Sequence, residues 1–151
     1  MTDSIHKQVI DAIAAALTAI GGGVAVETNT PLPETVPDAG LIIVRDGKPD
    51  PTEEMLGGFD TVYVVTVIPV EVYVSDGDNA ARDAKYDALL QAAGAALLAR
   101  DVNGQRSLGG LVYGLIVERP EPVSQDILGA APVKAAMINV RVEYQAPSPL
   151  N

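Results

Sequence analysis

The spacing of apolar and polar positions changes several times along this chain, and each change predicts an element. From Ser4 to Ile20 the apolar residues Val9, Ile10, Ile13, Leu17 and Ile20 fall at helical spacing, which predicts an amphipathic helix. Asp3 or Ser4 stands where its first turn needs a cap. Gly21-Gly22-Gly23 follows directly. Glycine adopts the left-handed conformation that helix C-termini favour, so the triplet predicts a helix stop. A phosphate-cradling loop would instead lie between a strand and a helix N-terminus.

Val24 to Glu27 predicts a short strand, and Thr28 to Gly40, with Pro31, Pro33 and Pro37, a loop crossing. Leu41 to Val44 is apolar at every position, the pattern of a strand covered on both faces. Arg45 to Asp60 is polar and rich in Pro and Gly, which predicts a long loop. Thr61 to Ser75 is dominated by Val and Tyr and predicts a long strand. Pro69 within it lacks a ladder donor, so that point is expected at an edge or a bulge. Asp76 to Asn79 turns the chain into a second helix, about Ala80 to Leu98, with Tyr86, Leu90, Ala93 and Leu97 as its apolar stripe.

Asp101 to Gly110 predicts a turn with Asn103-Gly104 at its tip. A strand is expected over Leu111 to Glu118, then a second long loop over Arg119 to Val133. Ala135 to Tyr144 alternates strictly. Ala136, Ile138, Val140, Val142 and Tyr144 point one way, and Met137, Asn139, Arg141 and Glu143 the other. One face of that strand should pack on helices and the other meet solvent or a partner. No strict strand–helix–strand alternation runs through the chain, which argues against a doubly wound parallel sheet. The expected fold is α+β: a mostly antiparallel sheet of about five strands with two helices on one face. Residues 1–145 are expected to form a single domain, and 146–151 a disordered C-terminal tail.

Composition changes this picture in three ways. Aromatic residues are 4% of the 151, with no Trp and one Phe, so the core must be built from Ala, Val, Ile and Leu. Burial between subunits would supplement such a core. Cysteine is absent, which excludes disulfides, thiol nucleophiles and thiolate metal sites. The formal charge is −10, and the ten Lys and Arg are scattered from Lys7 to Arg141 without a cluster. DNA binders group their cations, so this chain should repel DNA on average. Met1-Thr2-Asp3-Ser4 lacks the basic region and apolar run of a secretory leader. The longest apolar stretch, Val62 to Val74, is interrupted by Thr66, Pro69 and Glu71, well short of the ~20 residues of a membrane span. No membrane partner is expected. The protein is expected to be made and used in a cytoplasm, or carried in a particle assembled there.

A search for chemistry finds little. The one histidine, His6, sits in the first turn of the N-terminal helix and reads as a solvated side chain rather than a catalytic base. Asp76-Gly77-Asp78-Asn79 opens like a calcium loop, but the positions that need Gly and Glu hold Ala81 and Asp87. Helix capping accounts for these acids. Glu53-Glu54 and Asp83/Asp87 are paired carboxylates without an apolar setting to split their proton affinities. No catalytic, cofactor or metal-ligating residue is assigned, no cofactor is expected, and the chain does not read as an enzyme.

What remains are the two loops and the valine-rich strand, and loops on a small rigid domain commonly carry contacts. Candidate contact residues are Arg45, Asp46, Glu53, Glu54 and Phe59 in and beside the first loop. Arg119, Glu121, Gln125 and Asp126 in the second loop, and Arg141 on the closing strand, complete the set. The order and lengths of elements resemble the tail terminator proteins of long-tailed phages and gene transfer agents. The likeness spans the helix Val9 to Ile20, the proline crossing at 31–37, the strand Leu41 to Val44 and the strand Thr61 to Val74. It ends with the helix Asp83 to Leu98 and the closing strand at Val142-Glu143-Tyr144.

The resemblance implies a homo-hexameric ring that caps the tail tube, ends tail polymerisation and offers a surface to the head-tail connector or neck protein. Its partners would be further copies of itself, the major tail tube protein and that connector. DNA would pass through the lumen without specific binding, and the protein would sit in the neck region of the virion tail. Related neck and head-completion proteins share the pattern. A small ligand-binding or enzymatic α+β domain is the alternative from another class, and it should show a concave apolar pocket with convergent polar groups.

Overall fold

The computed structural model describes residues 2–49, 55–57, 61–123 and 132–148. Among these the elements run α1 (Ile5–Thr18), β1 (Ala25–Thr28), β2 (Leu41–Val44), β3 (Lys48–Pro49), β4 (Met55–Gly57) and β5 (Thr61–Ser75). They continue with α2 (Asn79–Leu97), β6 (Gly114–Val117), β7 (Glu121–Val123) and β8 (Val133–Ala146). The fold is α+β with one mostly antiparallel sheet, as the pattern predicts.

A ribbon of the two long strands forms the spine. β5 and β8 pair antiparallel along their length, from Val62 opposite Ala146 to Ser75 opposite Val133. On the outer side of β5 lie β2, β3 and β4 in succession, all antiparallel to it. On the outer side of β8 lie β6 and β7, also antiparallel. β1 adds beyond β2 as the one parallel pair. Eight strand segments therefore fill a sheet whose main path is five strands wide, in the order β1-β2-β5-β8-β6. The two stretches expected as long loops each contain strand: β3 and β4 in the first, β7 in the second. These segments are two or three residues long and are held by the backbone of the neighbouring strand. No apolar period of their own announces them.

Pro69 shows how the sheet tolerates a missing donor. It lies in β5, a central strand, opposite Asn139 of β8. Its carbonyl accepts a hydrogen bond from the Arg45 amide at 2.9 Å on the other side. A residue in an antiparallel strand points its N–H and C=O the same way, so the absent donor faces the turn after Val44, where β2 has ended. The expected edge is thus a break in the flanking strand. Just beyond, Gly47 passes so close to β5 that a Cβ there would lie 2.5 Å from Thr66 Cγ2 and 2.6 Å from the Val67 carbonyl.

Both helices pack on one face, over a core of Ile42, Val44, Ile68, Val70, Val72, Ile138, Val140 and Val142. α1 contributes Val9, Ile10, Ile13 and Leu17, while Ile20 is half-buried. α2 contributes Leu89, Ala93 and Leu97, so Leu89 rather than the expected Leu90 is the fully buried leucine of that turn. Leu90 and Tyr86 pack at the margin. Ser4 caps α1 through the Lys7 amide, and Asp78 caps α2 through the Ala81 amide. The other face of the sheet is not bare. Leu41, Ile43, Tyr73, Val133 and Ala135 form a second small core there, covered by Val36 of the proline crossing and Val123 of β7. β8 runs to Ala146, which is buried, so it reaches into the segment expected as a tail.

Candidate functional site

The strongest polar constellation lies on the helix-free face. The Arg45 guanidinium donates to both carboxylate oxygens of Glu71, at 3.1 and 3.0 Å. It also donates to the Thr30 carbonyl, and the Tyr73 hydroxyl donates to Glu71 at 2.6 Å. Burial alone would raise the Glu71 carboxyl, but the Arg45 and Tyr73 hydrogen bonds outweigh it and hold the carboxyl below its ordinary range. Burial, then the Glu71 carboxylate, pushes the Tyr73 phenol up. The cluster ties the start of the proline crossing to β2 and β5. Arg45 therefore spends its charge inside the subunit.

Asp46 is the exposed neighbour. Its amide donates to Asn29 Oδ1 at 2.8 Å, and its Oδ1 accepts from Asn29 Nδ2 at 3.0 Å. Asn29 has a φ of 52°, which asparagine tolerates better than most residues. His6 Nε2 stands 3.9 Å from the same Asp46 oxygen, and its Nδ1 lies 3.2 Å from the Tyr144 hydroxyl. The histidine thus joins α1 to β8 and to the turn after β2. Burial pushes the Tyr144 phenol up, partly offset by its hydrogen bond with Thr66.

The remaining candidates do not converge with these. Arg119 and Glu121 are exposed at the link from β6 to β7, beyond β8. Arg141 is half-buried on the helix-free face of β8, opposite Ile116 and Val67. β5 and β8 separate Arg119 and Glu121 from Arg45 and Asp46, and β5 alone separates Arg141 from them. Glu53, Glu54, Phe59, Gln125 and Asp126 lie outside the described residues.

The sequence pattern did not single out the exposed apolar surface beside β6. Tyr63 and Tyr113 stack at 6.3 Å between ring centroids, and the Tyr63 hydroxyl donates to Glu143 at 2.6 Å. Tyr113 is 65% exposed and Ile116, beside it on β6, 58% exposed. Both belong to a run from Leu111 to Val117 in which nearly every residue is apolar. Such a run cannot reveal which face tertiary packing leaves uncovered.

Among the described residues three concave features stand out, one of them a hollow of about 300 Å³ where the ends of the helices meet the turn at Arg100, Asp101 and Arg106. A second, of about 360 Å³, lies beside β1 among Glu27, Pro31, Pro33, Glu34, Val36 and Leu41. The third is an open groove of about 490 Å³ between the helices, walled by Ala16, Ala19, Ala92, Ala95 and Ala96. Alanine walls offer no side-chain donor or acceptor, and the pocket beside β1 presents carboxylates without a histidine or lysine beside them. Among the described residues, no three His, Asp or Glu side chains group closely enough to hold a metal. No described helix is long and apolar enough to cross a membrane.

The fold can be compared with solved structures. A chain in the virion of a native gene transfer agent particle superposes with a TM-score of 0.52 at 18% identity, over 95% of this chain and 92% of that one. The two chains share a fold. The sheath/tube terminator of an extracellular contractile injection system, PVC, in its extended state, gives a TM-score of 0.49 at 17% identity. That match spans 96% of this chain but 57% of the other. No protein-family profile matches the sequence, and no curated protein does. At these identities the shared property is the backbone arrangement, and roles must be argued from this chain's own surface.

Proposed function

We propose that this chain is a tail terminator: a structural virion protein whose copies close into a ring on the end of a tail tube. The observation that carries the reading is the likeness over almost the whole of both chains to a virion protein of a gene transfer agent particle. The chain's own features support it. Its polar clusters join elements of the subunit to one another, and its exposed apolar groups lie on a strand edge and on turns. Such a molecule acts through contacts rather than through bond chemistry. A ring of this kind needs heterologous contacts that close on themselves. It would stop tube growth by covering the last tube ring and would offer its far face to a head-tail connector.

The expected partners are further copies of the chain in a homo-hexamer, the tail tube protein and the connector. DNA passes through the lumen, and an acidic wall does not hold it. The protein works in the neck region of the tail and assembles in the host cytoplasm.

Native mass spectrometry of the purified chain, alone and with tail tubes, tests the proposal. A closed multimer, free or recruited to tube ends, is the expected result, with six copies the expected number. Strict monomers under both conditions would overturn it. Capture by a head-side adaptor with no affinity for tubes would move the protein to the head-completion side of the joint.

A further inference from the structure

The two margins of the sheet are complementary to each other. β6 lies at one end of the main path and β1 at the other, each four residues long. Neither has a further strand beyond it among the described residues. Passing from β1 through the one parallel and three antiparallel steps to β6 leaves the two running in opposite directions. The Glu118 amide bonds inward to the Asn139 carbonyl. By the alternation of an antiparallel ladder, Leu115 and Val117 then point their backbone groups outward. In β1 the Ala25 and Asn29 amides bond inward, to Gly40 and Val44, so Val26 and Thr28 point theirs outward. Each margin offers two outward-facing residues at the same spacing.

The side chains match as well. On the helix-free face the β6 margin raises Tyr113 and Ile116. On that same face the β1 margin has the pocket bounded by Pro31, Pro33, Val36 and Leu41. Glu27 and Glu34 at this pocket make no ion pair among the described residues, and both are exposed. Arg119 follows β6 and likewise makes no ion pair among the described residues, whereas Arg106 lies on the helix side, donating to the Leu98 carbonyl. Glu118 and Glu121 stand beside Arg119, so the strand edges and the apolar fit, not charge, carry the match.

We infer that β6 of one copy adds to β1 of the next, antiparallel, with Tyr113 and Ile116 seated in the neighbour's proline-lined pocket, so that the sheet continues from subunit to subunit. This rests on the ring reading above and supplies its contact. An open strand edge is a template for pairing with another chain, and here the second edge is on the same molecule. Head-to-tail repetition closes a ring without leaving an edge.

The absence of cysteine gives a clean test. Glu27 and Ile116 are exposed and face the same side. The full-length double variant E27C/I116C, treated with a short bis-maleimide under conditions where the chain assembles, should give a ladder of covalent multimers. Either single variant should give none. V117P removes an outward donor and leaves the β8 ladder intact, and edge strands tolerate proline there. It should stay folded by circular dichroism and need at least about tenfold more protein to assemble, a penalty of about 1.4 kcal/mol per contact. If rings form in native mass spectra but the double variant gives no ladder, the edge contact is wrong and the ring reading stands. If the unmodified chain stays monomeric with and without tubes, both fall.

Discussion

Arg45 sits in a stretch that looks like a solvated loop in the sequence, yet its guanidinium is committed to Glu71 and the Thr30 carbonyl. The partner lies 26 positions away on another strand, so residue order gives no sign of it. Both side chains are about four-fifths buried, and removing one leaves the other uncompensated. Arg45→Met should cost about 1.5–3 kcal/mol in chemical denaturation, the usual worth of hydrogen bonds to charged groups. The double variant R45M/E71L should recover part of that loss. Glu71 is held below its ordinary 4.5 in the folded state. Its contribution is complete above the unfolded value and lost as pH falls through the folded one. Unfolding curves of the native chain and Glu71→Gln should therefore differ most above pH 4.5 and converge in acid; a constant gap down to pH 2 would sink this account. Glycines make a second contrast. Gly47→Ala pushes a methyl into Thr66 and the Val67 carbonyl and should cost about 1–3 kcal/mol. Gly77 has open space around it and no left-handed backbone, so Gly77→Ala should be neutral or stabilise by up to about 1 kcal/mol.

Elements with their own period were legible, and elements without one were not. α1 announces itself through Val9, Ile13 and Leu17 and its glycine stop. β5 and β8 do so through length and alternation. β3, β4 and β7 consist of two or three residues each, and only the neighbouring strand's hydrogen bonds make them strands. The parallel setting of β1 on β2 depends on where the proline crossing returns the chain, which side-chain pattern does not encode. The capping turn of α2 was legible as acids before a helix. Asp78 accepts from the Ala81 amide at 3.0 Å, and Asp76 accepts from the Asp78 amide and pairs with Lys85 at 3.0 Å. Asp78→Ala should lower stability by about 1 kcal/mol through loss of the cap, while Asp78→Asn should keep most of it. Thermal melts that fail to separate the two substitutions would show that the side-chain oxygen is not what holds this end. The candidate site was the least legible part. Tyr113 and Ile116 stand out only once α1 and α2 are seen to cover the opposite face.

For the whole molecule, the surface charge bears most directly on function. Twenty acids against ten bases leave −10, and several of the bases are already spent. Lys7 lies between Asp3 and Asp11, Lys85 between Asp38 and Asp76, and Lys134 on Asp83. A protein that grips DNA needs several cations free to replace condensed counterions, and its affinity then falls steeply with salt. Lys7, Arg45, Lys85 and Lys134 face acids of the same subunit, and acids outnumber bases two to one, so the net field toward a phosphate backbone is repulsive. The chain, alone or assembled, should therefore show no binding to double-stranded DNA at physiological salt at protein concentrations up to about 10⁻⁴ M, the weak end of ordinary nonspecific binding. Lowering the salt should bring little change, because no counterions are released. Fluorescence anisotropy of a labelled duplex across a salt series reads both quantities. Binding that strengthens sharply as salt is lowered would mean that assembly gathers cations such as Arg106 and Arg119 into one patch, the opposite of a passage through which DNA slides unheld.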